Sequence, residues 1–239
     1  MESKLGGKTA VVTGGSRGIG FAIARELALN GCRVAIAGRN PDALESAISQ
    51  LKGEGLSVSA KSCDISDDSE VRDFFASVRQ HLTSLDFLIN NAGAAHALAN
   101  VDRLAPEEFR RVVDVNLTGT FLCCRAAIPL MGPDGVIVNN LSVAAHQPFA
   151  GMSAYNASKA GALALTNTLR EELRAQGIRV LALIPGATDT DIWQQFWPEA
   201  PREKMMSPQD VARVVVLALT MPPNTSLDEI RMGPASGTL

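Results

Sequence analysis

The chain has a single tyrosine, Tyr155, in the run Tyr155-Asn156-Ala157-Ser158-Lys159. In a helix, a spacing of four places Tyr155 and Lys159 on one face. A free phenol has a pKa of ~10, too high for an efficient base at neutral pH, and a neighbouring ammonium favours its ionised form. Such a pair has the makings of an acid/base that passes a proton to or from a substrate oxygen. Ser142, just past an apolar run, would hydrogen-bond the same oxygen while charge develops on it. Alone, a tyrosine and a lysine at helical spacing describe half-buried packing beside a solvated charge equally well.

A second constellation is Thr13-Gly14-Gly15-Ser16-Arg17-Gly18-Ile19-Gly20, after the first apolar run and at the opening of the first helix pattern. Glycines there permit a tight turn and let the backbone approach a pyrophosphate, to which a helix N-terminus offers N–H donors and partial positive charge. At the end of the second strand pattern a carboxylate would bind the ribose 2′-hydroxyl of NAD and repel a 2′-phosphate. This chain has Gly38-Arg39 instead. Arg39 and Arg17 would clamp a 2′-phosphate, so NADP(H) is the expected cofactor, with NAD(H) the alternative.

These residues need a frame. Short apolar runs at Thr9–Thr13, Arg33–Ala37, Val58–Lys61, Phe87–Asn90, Val136–Asn140 and Arg179–Ile184 read as strands, with Leu227–Met232 as a short edge strand. Helix patterns fall near 18–30, 41–52, 67–81, 106–130, 153–176 and 208–220. Asn40-Pro41, Ala105-Pro106 and Ser207-Pro208 mark helix starts. The alternation predicts an α/β fold: a single-domain Rossmann fold over 1–239, a doubly wound parallel sheet of about seven strands with helices on both faces. Loop 187–207 interrupts the pattern. It carries Trp193, Phe196, Trp197, Met205 and Met206, and an aromatic, Met-rich lid suits an apolar substrate, though the same residues would serve to pack the loop. His96 and His146 read as exposed loop residues.

Taken together, residues 13–20, Asn90-Asn91-Ala92-Gly93, Asn116, Ser142, residues 155–159 and Pro185-Gly186 resemble the short-chain dehydrogenase/reductase family, in its order and approximate spacing, from residue 8 to about 220. The resemblance implies a catalytic set of Asn116, Ser142, Tyr155 and Lys159, acting on a carbonyl or alcohol. Asn116 would hold a water that relays protons from Lys159, which would also bind the nicotinamide ribose. It implies cofactor contacts from Gly14, Ser16, Arg17, Gly18, Ile19, Gly20 and Arg39. Asp64 would accept from the adenine amine beside Ile65; Asn91, Ala92 and Gly93 would border the adenosine ribose, and Asn90 would steady the sheet. Pro185 and Gly186 would border the nicotinamide, with Thr188 and Thr190 near its carboxamide. Some relatives resemble 3-oxoacyl-acyl-carrier-protein reductases. Their basic docking residues are missing from Pro129–Gly135, and Gln176 stands where a further basic residue is expected. A non-catalytic NADP(H)-sensing module is a third reading, disfavoured by the complete set of four. Helices 106–130 and 153–176 would pair two copies into a homodimer. The end, Asp228–Pro234, departs from the glycine-rich strand that helps build a homotetramer.

Composition supports exclusions. The chain has 239 residues, 46% hydrophobic and 20% charged, with a formal net charge of −3, so no basic field recruits nucleic acid or an anionic membrane. Cys32, Cys63, Cys123 and Cys124 have no CxxC spacing and read as reduced, small apolar residues. The histidines, at 81, 96 and 146, form no local ligand cluster, so no metal is expected. No apolar run has the ~20 residues of a membrane helix, and MESKLGGKTA lacks a signal-peptide core, which makes the cytoplasm the expected location.

Overall fold

In a computed structural model, which describes residues 5–81 and 84–237, seven parallel strands form one sheet in the order β3-β2-β1-β4-β5-β6-β7. They are β1 (Thr9–Thr13), β2 (Arg33–Gly38), β3 (Val58–Ser62), β4 (Leu85–Asn90), β5 (Met131–Asn140), β6 (Arg179–Pro185) and β7 (Glu229–Met232). Helices α1 (Gly18–Leu29), α2 (Pro41–Gly53), α3 (Asp68–His81), α4 (Pro106–Val113), α5 (Gly119–Ala127), α6 (Ser153–Leu173) and α7 (Pro208–Leu219) connect them. This is the expected doubly wound fold; the opening residues 1–4 lie outside the described residues. Among the described residues no helix is long and apolar enough to cross a membrane.

The strands are apolar because both faces are covered. Along β1, Ala10 and Val12 face α1, α2 and α7, where Ile23, Leu27, Leu51, Val211 and Val215 pack. Val11 faces the opposite layer with Phe74, Phe75, Leu122 and Leu169. The period of two thus sends successive residues into two cores. Helix starts follow the sequence signals: the Asn40 side chain accepts from the Ala43 N–H at 3.1 Å, and Ser207 and Asp210 form a reciprocal capping box at α7.

Two boundaries differ from expectation. The pattern at 106–130 reads as one helix, but Asp114–Thr118 forms a π-helical turn between α4 and α5, followed by a 3₁₀ turn at Ile128–Leu130. The turn spans five residues with no proline or glycine among them, so no breaker signal marks it in the sequence. Strand β5 starts five residues earlier than its apolar run. Met131 pairs with Leu85 before a bulge, after which Val136 pairs with Phe87.

The middle of the sheet holds a buried polar chain. Asn90 Nδ2 donates to Asn139 Oδ1 at 2.9 Å, Asn139 Nδ2 donates to Thr166 Oγ1 at 2.9 Å, and Thr166 Oγ1 donates to the Ala162 carbonyl at 2.6 Å. It joins β4, β5 and α6, the three elements that carry the residues discussed next. Removing the middle member takes a hydrogen-bond partner from two buried groups at once, leaving Asn90 Nδ2 only Cys124 Sγ and Thr166 only the Ala162 carbonyl. Asn139→Ala is therefore expected to lower stability by on the order of 3 kcal/mol, read as a lower urea midpoint.

Candidate active site

Two strand ends diverge where β1 lies between β2 and β4, the position at which open parallel sheets bind ligands. A cleft of about 760 Å³ opens there. The loop after β1 turns through Gly14, with φ +64°, and Gly18, with φ +55°. A Cβ on Gly20 would lie 2.2 Å from the Gly14 carbonyl oxygen and 2.3 Å from Asn91 Nδ2, so only glycine lets α1 start this close to the loop. Arg17 at the N-cap makes no side-chain cap, which leaves the first N–H groups of α1 free for an outside acceptor. Glycine loop, uncapped helix start and flanking arginines fit a dinucleotide phosphate.

Asn91 holds that loop. Its Nδ2 donates to the carbonyls of Thr13 (3.1 Å) and Gly14 (3.2 Å), and its Oδ1 accepts from Asn140 Nδ2 at 2.8 Å. Thr13 Oγ1 accepts from the N–H groups of Asn91 and Ala92. The Asn91 side chain is thus spent on the protein; Asn91, Ala92 and Gly93 border the cleft beside it.

The reacting group forms where β5 meets α6. Ser142 follows β5, and its Oγ accepts from the Ala144 N–H at 3.2 Å, opening a 3₁₀ turn. Tyr155 and Lys159 lie on the first turns of α6, with Lys159 Nζ 5.7 Å from the Tyr155 ring centroid. Asn156 staples the intervening loop to the helix: its Nδ2 donates to the carbonyls of Ala144 (3.2 Å) and Gln147 (2.8 Å). That staple sets Ser142 against Tyr155, a role the sequence analysis did not assign, although Asn156 sits inside the motif.

Asn116 lies in the π turn. Its Oδ1 accepts from the Ala94 N–H at 2.8 Å, and its Nδ2 donates to the Ala94 carbonyl and to Ser158 Oγ, both at 2.9 Å. The side chain clamps the segment after β4 to α6, with both Nδ2 protons used and one Oδ1 lone pair left over. Its main-chain carbonyl accepts from Thr120 Oγ1 at 2.9 Å.

The arginines expected to share one phosphate each face a carboxylate. Arg39 Nη1 lies 3.8 Å from Asp64 Oδ2, whereas Arg17 Nη1 lies 3.6 Å from Asp191 Oδ2 on the opposite wall. Asp64 is further engaged through Oδ1 by the Ser66 N–H and hydroxyl. Ile65, Pro185, Gly186, Thr188 and Thr190 line the cleft, and so do Ser16 and Ile19. The segment 187–206 is tied down: Trp193 Nε1 donates to the Thr188 carbonyl at 2.9 Å, Arg202 Nη1 reaches Asp189 Oδ1 (2.5 Å) and the Thr190 carbonyl (2.7 Å), and Trp193 stacks against Phe196 at 4.9 Å. Asp191 and Gln195, both in this segment, carried no sequence signal.

The histidines divide. His146 is exposed, as the sequence suggests, with Nε2 2.9 Å from Arg231 and 3.4 Å from Glu229 on the edge strand. His96, expected on the surface, is 3% exposed, because the segment after β4 folds under α4 and Nδ1 meets the Ala97 carbonyl at 2.8 Å.

The sequence profile described as short chain dehydrogenase matches residues 8–201. An uncharacterized oxidoreductase of Staphylococcus aureus (strain N315) is 34% identical over 229 residues, covering 95% of this chain and 97% of its own. An alcohol dehydrogenase from the archaeon Thermococcus sibiricus, solved in complex with 5-hydroxy-NADP, superposes with a TM-score of 0.89 at 30% identity, covering 97% of this chain and 98% of its own. A short chain dehydrogenase from Burkholderia cenocepacia J2315 in complex with NADP gives 0.87 at 32% identity, covering 96% and 97%.

Burial governs the titration of the reacting pair. It lowers the Lys159 ammonium to about 8, with Nζ donating to the Asn140 carbonyl at 3.1 Å. Burial pushes the Tyr155 phenol up, and a hydrogen bond from Ser142 partly offsets this. The expected lowering of Tyr155 by Lys159 is therefore outweighed by desolvation among the protein's own groups. Between about pH 8 and 10 the unfolded chain holds the Lys159 proton and the folded chain does not, so stability from this group rises with pH. Relative to Lys159→Met, the wild-type protein is expected to gain on the order of 2 kcal/mol from pH 7.5 to 9.5, measured by urea unfolding at each pH.

Proposed function

The chain belongs to the short-chain dehydrogenase family, and from that premise we propose an NADP(H)-dependent oxidoreductase that transfers a hydride between nicotinamide and a carbonyl or secondary alcohol. The observation that carries this reading is the convergence of the Ser142 hydroxyl, the Tyr155 phenol and the Lys159 ammonium in one cleft with an uncapped, glycine-built helix start. The 5-hydroxy-NADP and NADP complexes of the two structural relatives support the choice of cofactor.

When bound, the nicotinamide supplies or accepts the hydride. In reduction, Ser142 donates a hydrogen bond to the substrate oxygen as it gains charge, and Tyr155 gives it the proton. Lys159, held by the Asn140 carbonyl, stabilises the resulting phenolate and hands on a proton. The main-chain carbonyl of Asn116 would hold the relay water. In oxidation the same groups act in reverse. Gly14, Gly18, Ile19 and Gly20 would cradle the phosphates. Arg39 would leave Asp64, and Arg17 would leave Asp191, to hold the 2′-phosphate, since charge-assisted bonds to a doubly charged group outcompete exposed ion pairs.

Segment 187–206 would form the wall over an apolar substrate. Two copies would pair through α4, α5 and α6, where Phe109 and Phe121 are 40% and 45% exposed beside exposed Ala157 and Ala160. The four free, buried cysteines suit the reducing cytoplasm; burial pushes the Cys32, Cys63 and Cys124 thiols up to about 12.

Tyr155→Phe is expected to abolish NADPH oxidation at 340 nm across a panel of ketones, diketones and quinones while leaving NADPH affinity nearly unchanged; retained turnover would remove Tyr155 from the chemistry. Arg39→Asp is expected to raise the NADPH KM roughly tenfold or more and to favour NADH, and an unchanged KM would overturn the 2′-phosphate assignment.

A further inference from the structure

The charged residues lining the cleft leave nothing for a substrate to pair with. Arg39 faces Asp64 beside Ser16 and Ile65, Arg17 faces Asp191 where the lid meets the glycine loop, and Lys159 belongs to the reacting group. The cleft that holds Tyr155 and Ser142 is also lined by the apolar side chains of Leu98, Val143, Phe149, Met152, Trp193 and Phe196. A carboxylate or phosphate placed there would lose its hydration with no cation in return.

The lid also lines this space with the neutral polar side chains of Thr188 and Thr190, read above as nicotinamide contacts, and of Gln195. Gln195 Oε1 accepts from the Ala95 N–H at 3.2 Å. A backbone N–H can only donate, so this bond fixes which end of the amide is oxygen. Nε2, with two protons, has no partner among the described residues, and Gln195 is an exposed residue of the cleft lining. The same contact joins the lid to the segment after β4, so the donor is held in place rather than swinging on a free side chain.

We propose that the site takes an uncharged carbonyl compound with a bulky apolar body, and that Gln195 selects among such compounds by donating from Nε2 to a second oxygen on the substrate. The inference rests on the reading of this cleft as a carbonyl-reducing site, and its test is read by binding rather than turnover. A neutral dicarbonyl or keto ester meets the requirement. A keto acid does not, because its charge finds no counterion.

The chain supplies its own probe. Both of its tryptophans, Trp193 and Trp197, are in the lid and line the cleft, so their emission reports on ligand there. The protein saturated with 1,4,5,6-tetrahydro-NADP, a redox-inactive analogue whose ring carries no charge, is titrated with 1-cyclohexylpropan-1-one, 1-cyclohexylpropane-1,2-dione and cyclohexylglyoxylate, and Kd is read from tryptophan quenching. The dione is expected to bind roughly fivefold tighter than the monoketone, as one added hydrogen bond provides, and the keto acid weakest of the three. Gln195→Glu keeps an oxygen for the Ala95 N–H but has no proton to donate. It is expected to bring the dione to the monoketone's Kd or above, with the monoketone unchanged. Gln195→Met, which lacks both, would weaken all three in step if the lid contact matters as well. Equal binding of dione and monoketone by the wild-type protein, a dione preference that survives in Gln195→Glu, tightest binding of the keto acid, or no quenching by any of the three would each overturn the proposal. Failure of the redox reading would show separately, as turnover retained in Tyr155→Phe.

Discussion

A lysine ammonium only 5% exposed to solvent is the constraint from which the site follows. Desolvating a charge is costly, and the protein offsets it with a main-chain oxygen at a strand end, the Asn140 carbonyl. That acceptor is available because β5 ends there, with the chain turning into Ser142 instead of continuing its ladder. Lys159 can reach it only if α6 begins just beyond the same loop, and the Asn156 staple sets that start. The buried charge, the end of β5 and the first turns of α6 are thus mutually dependent.

From Asn140 the dependence runs on to the other half of the cleft. Its side chain donates to Asn91, and Asn91 donates to the carbonyls of Thr13 and Gly14. A single chain of hydrogen bonds therefore connects the lysine on α6 to the glycine loop after β1, across β5 and β4. Deeper in the sheet the Asn90–Asn139–Thr166 chain runs through the same elements, and the Asn116 clamp on Ala94 joins the π turn to them. Buried polar networks of this kind fix relative position, since each member left without its partner costs more than a neutral packing defect. A phosphate cradle and a proton donor on different elements need such fixing to meet one small molecule from two sides.

The mouth of the cleft is built differently. Its ion pairs, Arg17 with Asp191 and Arg39 with Asp64, join exposed groups at 3.6 and 3.8 Å, a class of contact worth little in water. Weak pairs at the rim and strong, buried bonds beneath suit a site whose floor is rigid and whose edges exchange partners when a charged ligand enters. With both arginines engaged, by a carboxylate or by a phosphate, no cation at the rim is left for a substrate, which leaves shape and a few hydrogen bonds to distinguish substrates.

Much of this was readable in the linear sequence, because it depends on local chemistry. Apolar runs and helix caps are properties of neighbouring residues, so strands, helices and the seven-stranded doubly wound sheet follow from them. So does the pairing of Tyr155 with Lys159, since helical spacing alone puts them together. Tertiary structure decided which polar side chains are already spent. Asn91 and Asn116 look like ligand-binding residues in the chain, yet their amides are committed to Gly14 and Ala94, partners 77 and 22 residues away in sequence. The π turn is hidden because no residue within it is a helix breaker, and His96 is buried because the segment after β4 folds under α4. The directions of Tyr155 and Lys159 titration follow from depth in the cleft. Spacing states which groups can be neighbours; desolvation and competition for hydrogen bonds depend on everything else that packs around them, and only the folded chain determines that.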